Sequence, residues 1–215
     1  MKTSKTKESI LSKIRHGLSK GKVPIPFPEI EKNNQDIFNR PTGFLEETFA
    51  SAFIQLGGHF MFCNDENELF DSLQQLIRAK GWQQIVCAED AIAKELDQLL
   101  EHVTISPQDA LETAQVSITL CEALIARTGS ILISSRQNYG RTTPVFYPAH
   151  IVVARTSQVL EDIEHGLDWL LNKYQNNLPS MINLNTGPSR TADIEKTLVV
   201  GVHGPKEVFC FLINQ

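Results

Sequence analysis

From His59 onward the chain alternates short apolar runs with amphipathic stretches, and this alternation restricts the possible folds more than any other feature. Residues 59–63 read as a strand, 67–79 as a helix closed by Gly81, 84–88 as a strand and 89–101 as a second helix. Repeated β-then-α order requires crossovers long enough to return each strand parallel to the last, so it predicts a parallel sheet covered on both faces by helices.

The middle of the chain breaks that rhythm. Runs at 116–120, 123–127 and 131–134 are separated by too few residues for helical crossovers, so some of them should pair antiparallel, with Gly129 in a tight turn. Residues 150–154 form a further buried strand. The longest helix is expected at 157–174, with Val159, Leu160, Ile163, Leu167, Leu170 and Leu171 on its apolar stripe. Residues 181–184 then return to the sheet, and 208–213 supply the last strand. The fold class is α/β, an open, mostly parallel sheet with an N-terminal helical extension.

That extension is distinct in charge. Residues 1–22 carry seven basic side chains against Glu8 alone, a local +6 in a chain of net charge −5, which leaves −11 on the remainder. Ile10, Leu11, Ile14 and Leu18 recur at helical spacing, so the segment predicts an amphipathic helix ending near Gly21. It could dock on its own domain or act as an arm for an acidic partner. Pro24, Pro26 and Pro28 stiffen the chain after it. A second helix, built on Phe44, Leu45, Phe49, Phe53 and Leu56, ends at Gly57-Gly58. The expected division is an N-terminal helical segment with a proline-rich linker at 1–56 and an α/β domain at 57–215. An acidic body disfavours nucleic acid and anionic membranes. With no apolar run near 18 residues and no signal peptide, the expected location is the cytoplasm, without membrane insertion.

Cys63, Cys87, Cys121 and Cys210 are scattered, with no C-x-x-C pair, which argues against a metal site or an iron–sulfur cluster in this chain; buried free thiols are expected. There is no dinucleotide-binding G-x-G-x-x-G either.

Polar chemistry concentrates near the C-terminus. After 181–184 come Gly187, Pro188, Ser189, Arg190, Thr191 and Asp193, and soon afterwards Gly201-Val202-His203-Gly204-Pro205. One reading is a strand that opens into a short helical turn, with Ser189 or Thr191 as its cap and Asp193 in its first turn. Uncovered N–H groups beside Arg190 would then seat an anion, and His203 could add a donor. The candidate anion site is Gly187, Ser189, Arg190, Thr191, Asp193 and His203, completed by Arg141 from the 134–143 stretch. The alternative is an ordinary capped turn, with Arg190 paired to Glu195. Arg136, Tyr139, Gly140, Arg141, Thr142 and Thr143 suit either an anion or an exposed flexible loop. His150 reads as structural. Glu122 could be a carboxylate nucleophile, on the weak ground of one Glu near a strand end.

The run GPSRTADIEKTLVVGVHGPKEV resembles the C-terminal signature of the LUD-domain family, in the branch of its lactate utilization members. Ala126-Arg127-Thr128-Gly129-Ser130 and Pro148-Ala149-His150-Ile151-Val152-Val153 resemble its central pattern. The family usually reads Ala-Glu-Thr-Gly-Thr at the first of these, so Arg127 reverses a charge. The resemblance implies a fold similar to the ribose-5-phosphate isomerase, glucosamine-phosphate deaminase and CoA-transferase group. It also implies a component of the cytoplasmic system that oxidises L-lactate to pyruvate with iron–sulfur partner proteins, where this chain holds no cofactor itself and binds a small anionic ligand. The competing readings are a free-standing enzyme acting on a phosphorylated or CoA-linked small molecule, and a scaffold or regulator.

Overall fold

A computed structural model describes residues 5–21, 43–106, 113–138, 140–192 and 198–215. The chain divides into two compact units, 1–39 and 40–215. In the first, helix α1 spans Lys5–Ser19 and leaves Ile10, Ile14 and Leu18 of its apolar stripe exposed. The prolines at 24, 26 and 28 lie outside the described residues.

The second unit begins with α2 (Leu45–Gln55). It is followed by β1 (His59–Cys63), α3 (Glu66–Lys80), β2 (Gln84–Cys87), α4 (Asp90–Leu99) and β3 (Thr104–Ser106). Then come β4 (Val116–Thr119), β5 (Ala123–Ile125), β6 (Ser130–Ser134), α5 (Thr143–Phe146) and β7 (Ala149–Arg155). A short 3-10 turn, Thr156–Gln158, leads into β8 (Val159–Leu160) and α6 (Ile163–Lys173). The chain closes with β9 (Ile182–Asn185), β10 (Arg190–Ala192), β11 (Leu198–Val200) and β12 (Glu207–Ile213).

Six strands form one sheet in the order β1-β12-β7-β4-β2-β3, and every neighbouring pair is parallel. A parallel strand buried on both faces has no polar side to show, and β12 and β7 are accordingly apolar almost throughout. On one face Leu69, Leu73 and Ile77 of α3 and Ile92 and Leu96 of α4 pack against Ile85, Ile118, Ile151 and Phe211. Local signals set these helices. Asp65 accepts from Glu68 N at 2.9 Å, Glu68 accepts from Asn64 N at 2.8 Å, and Gly81 ends α3 at φ +66°.

The opposite face is covered by α2 together with a second sheet, ordered β8-β5-β6-β9. Phe49 and Phe53, stacked at 5.4 Å, are fully buried with Leu124, Ile131, Ile133, Val152, Cys210 and Leu212. Each such aromatic contributes about 1.5–3 kcal/mol by leaving water. β5 and β6 pair antiparallel around Gly129, as the short spacing predicts. Gly129 sits at φ +59°, and a Cβ there would lie 2.5 Å from the Phe53 backbone nitrogen, so the turn and its contact with α2 both call for glycine.

Three expectations are corrected. The helix expected from 157 starts at Ile163, because Val159 and Leu160 pair with β5 and Asp162 caps the helix by accepting from Ile163 N at 2.6 Å. The 181–184 strand joins the small sheet, antiparallel to β6, rather than the parallel one. The helical turn expected around Ser189 to Asp193 is instead a hairpin in which Arg190, Thr191 and Ala192 pair with Val200, Val199 and Leu198. The β-branched Thr191, Val199 and Val200 favour that extended pairing over a helical turn. Asp193 lies outside the described residues.

Candidate functional site

The turn after β9 and the turn before β12 are clasped together by main chain. Ser189 N donates to Pro205 O at 2.9 Å, and Gly201 N donates to Ser189 O at 2.9 Å. Gly187, at φ +86°, packs where a Cβ would meet Leu56 O at 3.1 Å. A Cβ on Gly204 would come within 2.8 Å of Ser189 Cβ, so the glycines set how closely the turns approach. Between them lies a cleft of about 250 Å³, lined by Asn183, Asn185, Thr186, Ser189, His203 and Val145 among others. Gly187, Ser189 and His203, three of the residues singled out by sequence, therefore share one site. It lies at the amino end of β12, not at the carboxyl ends of the parallel strands.

The other candidates point elsewhere. Arg190 is exposed, and its guanidinium donates to Leu56 O. Arg141 donates to Ser180 Oγ. Thr191 is in the hairpin, and its side chain lies outside the described residues.

The carboxyl edge of the parallel sheet, where α/β sheets commonly hold ligands, carries a larger cleft of about 500 Å³. Val153, Ala154, Arg155 and Ile213 reach it from the strand ends, with Gln158 beside them. The first residue of α3 brings Glu66 to it, the residue before α4 brings Glu89, and Glu95 follows on α4. Arg155 is already engaged with Glu66 at 3.4 Å, and Gln158 Nε2 donates to Cys121 O at 2.8 Å. Three carboxylates against one committed guanidinium make this cleft unsuited to a phosphate or carboxylate.

A third polar centre is buried. Glu122 is completely inaccessible and receives three donors: Ser134 Oγ, Tyr174 OH at 2.7 Å and Lys173 Nζ at 2.7 Å. Both carboxylate oxygens are engaged, which leaves no open face for nucleophilic attack; its work is to tie α6 to the small sheet. Burial and the hydrogen bond to Glu122 raise the Tyr174 pKa. For Lys173, burial works to lower the pKa, but the bond to Glu122 and its charge outweigh it, so the ammonium is retained. Arg127 has a comparable structural task. Its Nε and NH2 each donate to Asp162 at 2.7 Å, and these bonds, more than any other cause, hold the Asp162 pKa below its usual value. Arg127 thus secures the cap of α6.

His150 and Thr119 are bonded to each other at 2.8 Å inside the sheet, and burial pushes the histidine down to about 3, so it stays neutral. All four cysteines are free and buried, and burial raises the pKa of every thiol, to about 11 for Cys63 and Cys87. Metal-ligating thiolates form most readily under the opposite conditions.

Sequence reasoning passed over the carboxyl-edge cleft and read Glu122 as a possible nucleophile without its partners. Glu122 meets Lys173 and Tyr174 across 51 and 52 positions, a separation with no local pattern. The cleft was foreshadowed only by strand-to-helix junctions at 64–66 and 88–90.

A model of the LUD domain matches residues 46–213. The chain is 32% identical over 158 residues to a lactate utilization protein C from Anoxybacillus flavithermus, covering 68% of this chain and 70% of that protein. It is 34% identical over 105 residues to a lactate utilization protein C from Bacillus subtilis, covering 48% and 44% respectively. In fold it is similar to the crystal structure of a DUF162 family protein from Deinococcus radiodurans, with a TM-score of 0.58 and 19% identity over 81% of this chain and 100% of that one.

Proposed function

Since this chain belongs to the LUD-domain family, we propose that it serves L-lactate utilization in the cytoplasm, as a subunit that binds a small hydroxy acid while iron–sulfur partner proteins carry the electrons. The observation that carries this reading is the length of the likeness, which runs through 158 residues and most of the α/β unit rather than one motif. Four separated, buried thiols support leaving the electron transfer to partners.

The clasp between Ser189 and His203 is the proposed seat of the acid. Hydroxyl and imidazole donors would take its carboxylate, and the Asn183 and Asn185 amides would suit its hydroxyl. Size separates this reading from that of an enzyme acting on a CoA-linked molecule. At about 250 Å³ the cleft falls below the ~300–1,000 Å³ of pockets for drug-sized ligands, so it favours a three-carbon acid over a nucleotide. The larger cleft has the volume for a bigger ligand but the wrong charge for a phosphorylated one.

The test is growth. Deleting the gene should abolish growth on L-lactate as sole carbon source and leave growth on glucose intact, and the full chain supplied in trans should restore it. Unchanged growth of the deletion strain on L-lactate would refute the assignment.

A further inference from the structure

On the small-sheet side of the molecule, the Arg141 guanidinium stands against a pair of serine hydroxyls, and Arg136 directly follows one of those serines in the chain. Arg136 and Arg141 are both exposed, and among the described residues neither is paired with a carboxylate. This is uncommon company in a body whose net charge, outside residues 1–22, is −11. Arg136 NH2 donates to Asn177 O at 3.3 Å, and its guanidinium lies 5.6 Å from the centroid of the Tyr174 ring. Arg141 NH2 donates to Ser180 Oγ.

Ser135 and Ser180 are linked through their hydroxyls at 3.1 Å, and Ser135 Oγ also accepts from Met181 N at 3.2 Å. Proton counting then decides the matter. Each hydroxyl has one proton, and the Ser135–Ser180 bond uses one of the two. Ser180 accepts from Arg141 and Ser135 accepts from Met181, so neither of those bonds consumes the second proton. Among the described residues one O–H donor is therefore uncommitted whichever way the pair is oriented, next to a guanidinium with no carboxylate partner.

The floor beneath is rigid. Tyr174, on which Arg136 lies, is held through its OH by buried Glu122, and Lys173 Nζ is held by the same carboxylate. Met181 N and O both bond to Ser135, through Oγ and N, fixing the segment that follows β6 to the one that precedes β9, each of which carries one serine. Side chains positioned in this way need little reordering to receive an anion.

We propose that Arg136, Arg141 and the Ser135–Ser180 hydroxyl pair form a second anion site, which takes a phosphate group. Two guanidinium groups and one hydroxyl offer more donors than one planar carboxylate, which a single bidentate arginine satisfies, and they suit the several oxygens of a tetrahedral oxyanion. The site is separate from the Ser189–His203 clasp and does not depend on lactate binding there.

The experiment is a titration of the full chain with inorganic phosphate at constant ionic strength, followed by amide NMR shifts. Saturable binding is expected, with shifts at residues 135, 136, 141 and 180. Arg141→Gln should weaken it about tenfold or more, Arg136→Gln comparably, and Ser180→Ala less. Ser189→Ala/His203→Ala, in the other site, should leave it unchanged. Both arginines are exposed, so the substitutions should leave the melt intact. Phosphate shifts that never saturate, or that survive Arg136→Gln/Arg141→Gln undiminished, overturn the proposal.

Discussion

Glu122 and its donors, set beside the Ser189–His203 clasp, show two ways in which one chain can hold polar groups. Both oxygens of buried Glu122 accept from other side chains, so the carboxylate can hold elements together but presents no open face to a ligand. In the clasp, the bonds that join the two turns are made by main chain, between Ser189 N and Pro205 O and between Gly201 N and Ser189 O. The hydroxyl of Ser189 and the imidazole of His203 stay available to a cleft. Polar groups satisfied by one another serve the fold, whereas polar groups carried on a backbone that is already satisfied can serve a ligand.

The contrast is open to breaking by substitution. The largest effect should come from Glu122→Ala, which strands Tyr174 OH and Ser134 Oγ and deprives Lys173 of its counter-charge. Removing one partner of a buried pair costs ~3–5 kcal/mol, and the lower end applies because the Lys173 side chain is 43% exposed and can turn to water. A urea melt measures it, and a loss under ~1 kcal/mol would deny Glu122 its structural role.

Gly129→Ala should follow at about 2–4 kcal/mol, since it combines a positive φ with a clash against α2. Its melt should drop without change in the phosphate titration. Arg127→Ala should cost about 1–2 kcal/mol through loss of the paired bonds to Asp162. Because Asp162 titrates lower in the folded state than its ordinary 3.8, the pair stabilises above that pH, and its contribution fades as pH falls through the folded value. Melts between pH 5 and pH 2.5 should therefore show the gap between wild type and Arg127→Ala closing toward acid; a gap that widens would contradict the assignment.

How much of this was readable beforehand depended on the range of the interactions. The parallel sheet was legible because its strands are continuous apolar runs and α3 carries its own start and stop in Asp65 and Gly81. The Gly129 hairpin was legible for the same local reason. Ser189 and His203 were found as a pair because glycine and proline flank both turns, yet Arg190 was misplaced with them. Its strand pairing with Val200 depends on residues further along the chain, and Thr191 is the one β-branched residue that the 190–192 segment itself offers. Glu122 was undervalued because its partners lie at the end of β6 and at the far end of α6, and burial of a carboxylate is decided by tertiary neighbours alone.

The smallest structural effect and the largest functional one should coincide in Ser189→Ala/His203→Ala. Exposed His203 and half-buried Ser189 make no side-chain hydrogen bond among the described residues, so the melt should move by no more than about 0.5 kcal/mol. The decisive measurement is the growth rate on L-lactate of the deletion strain complemented with this double variant, at matched protein level. A severe growth defect with an unchanged melt is the predicted result. Wild-type growth with an unchanged melt would contradict the claim that the clasp is where this protein meets its acid.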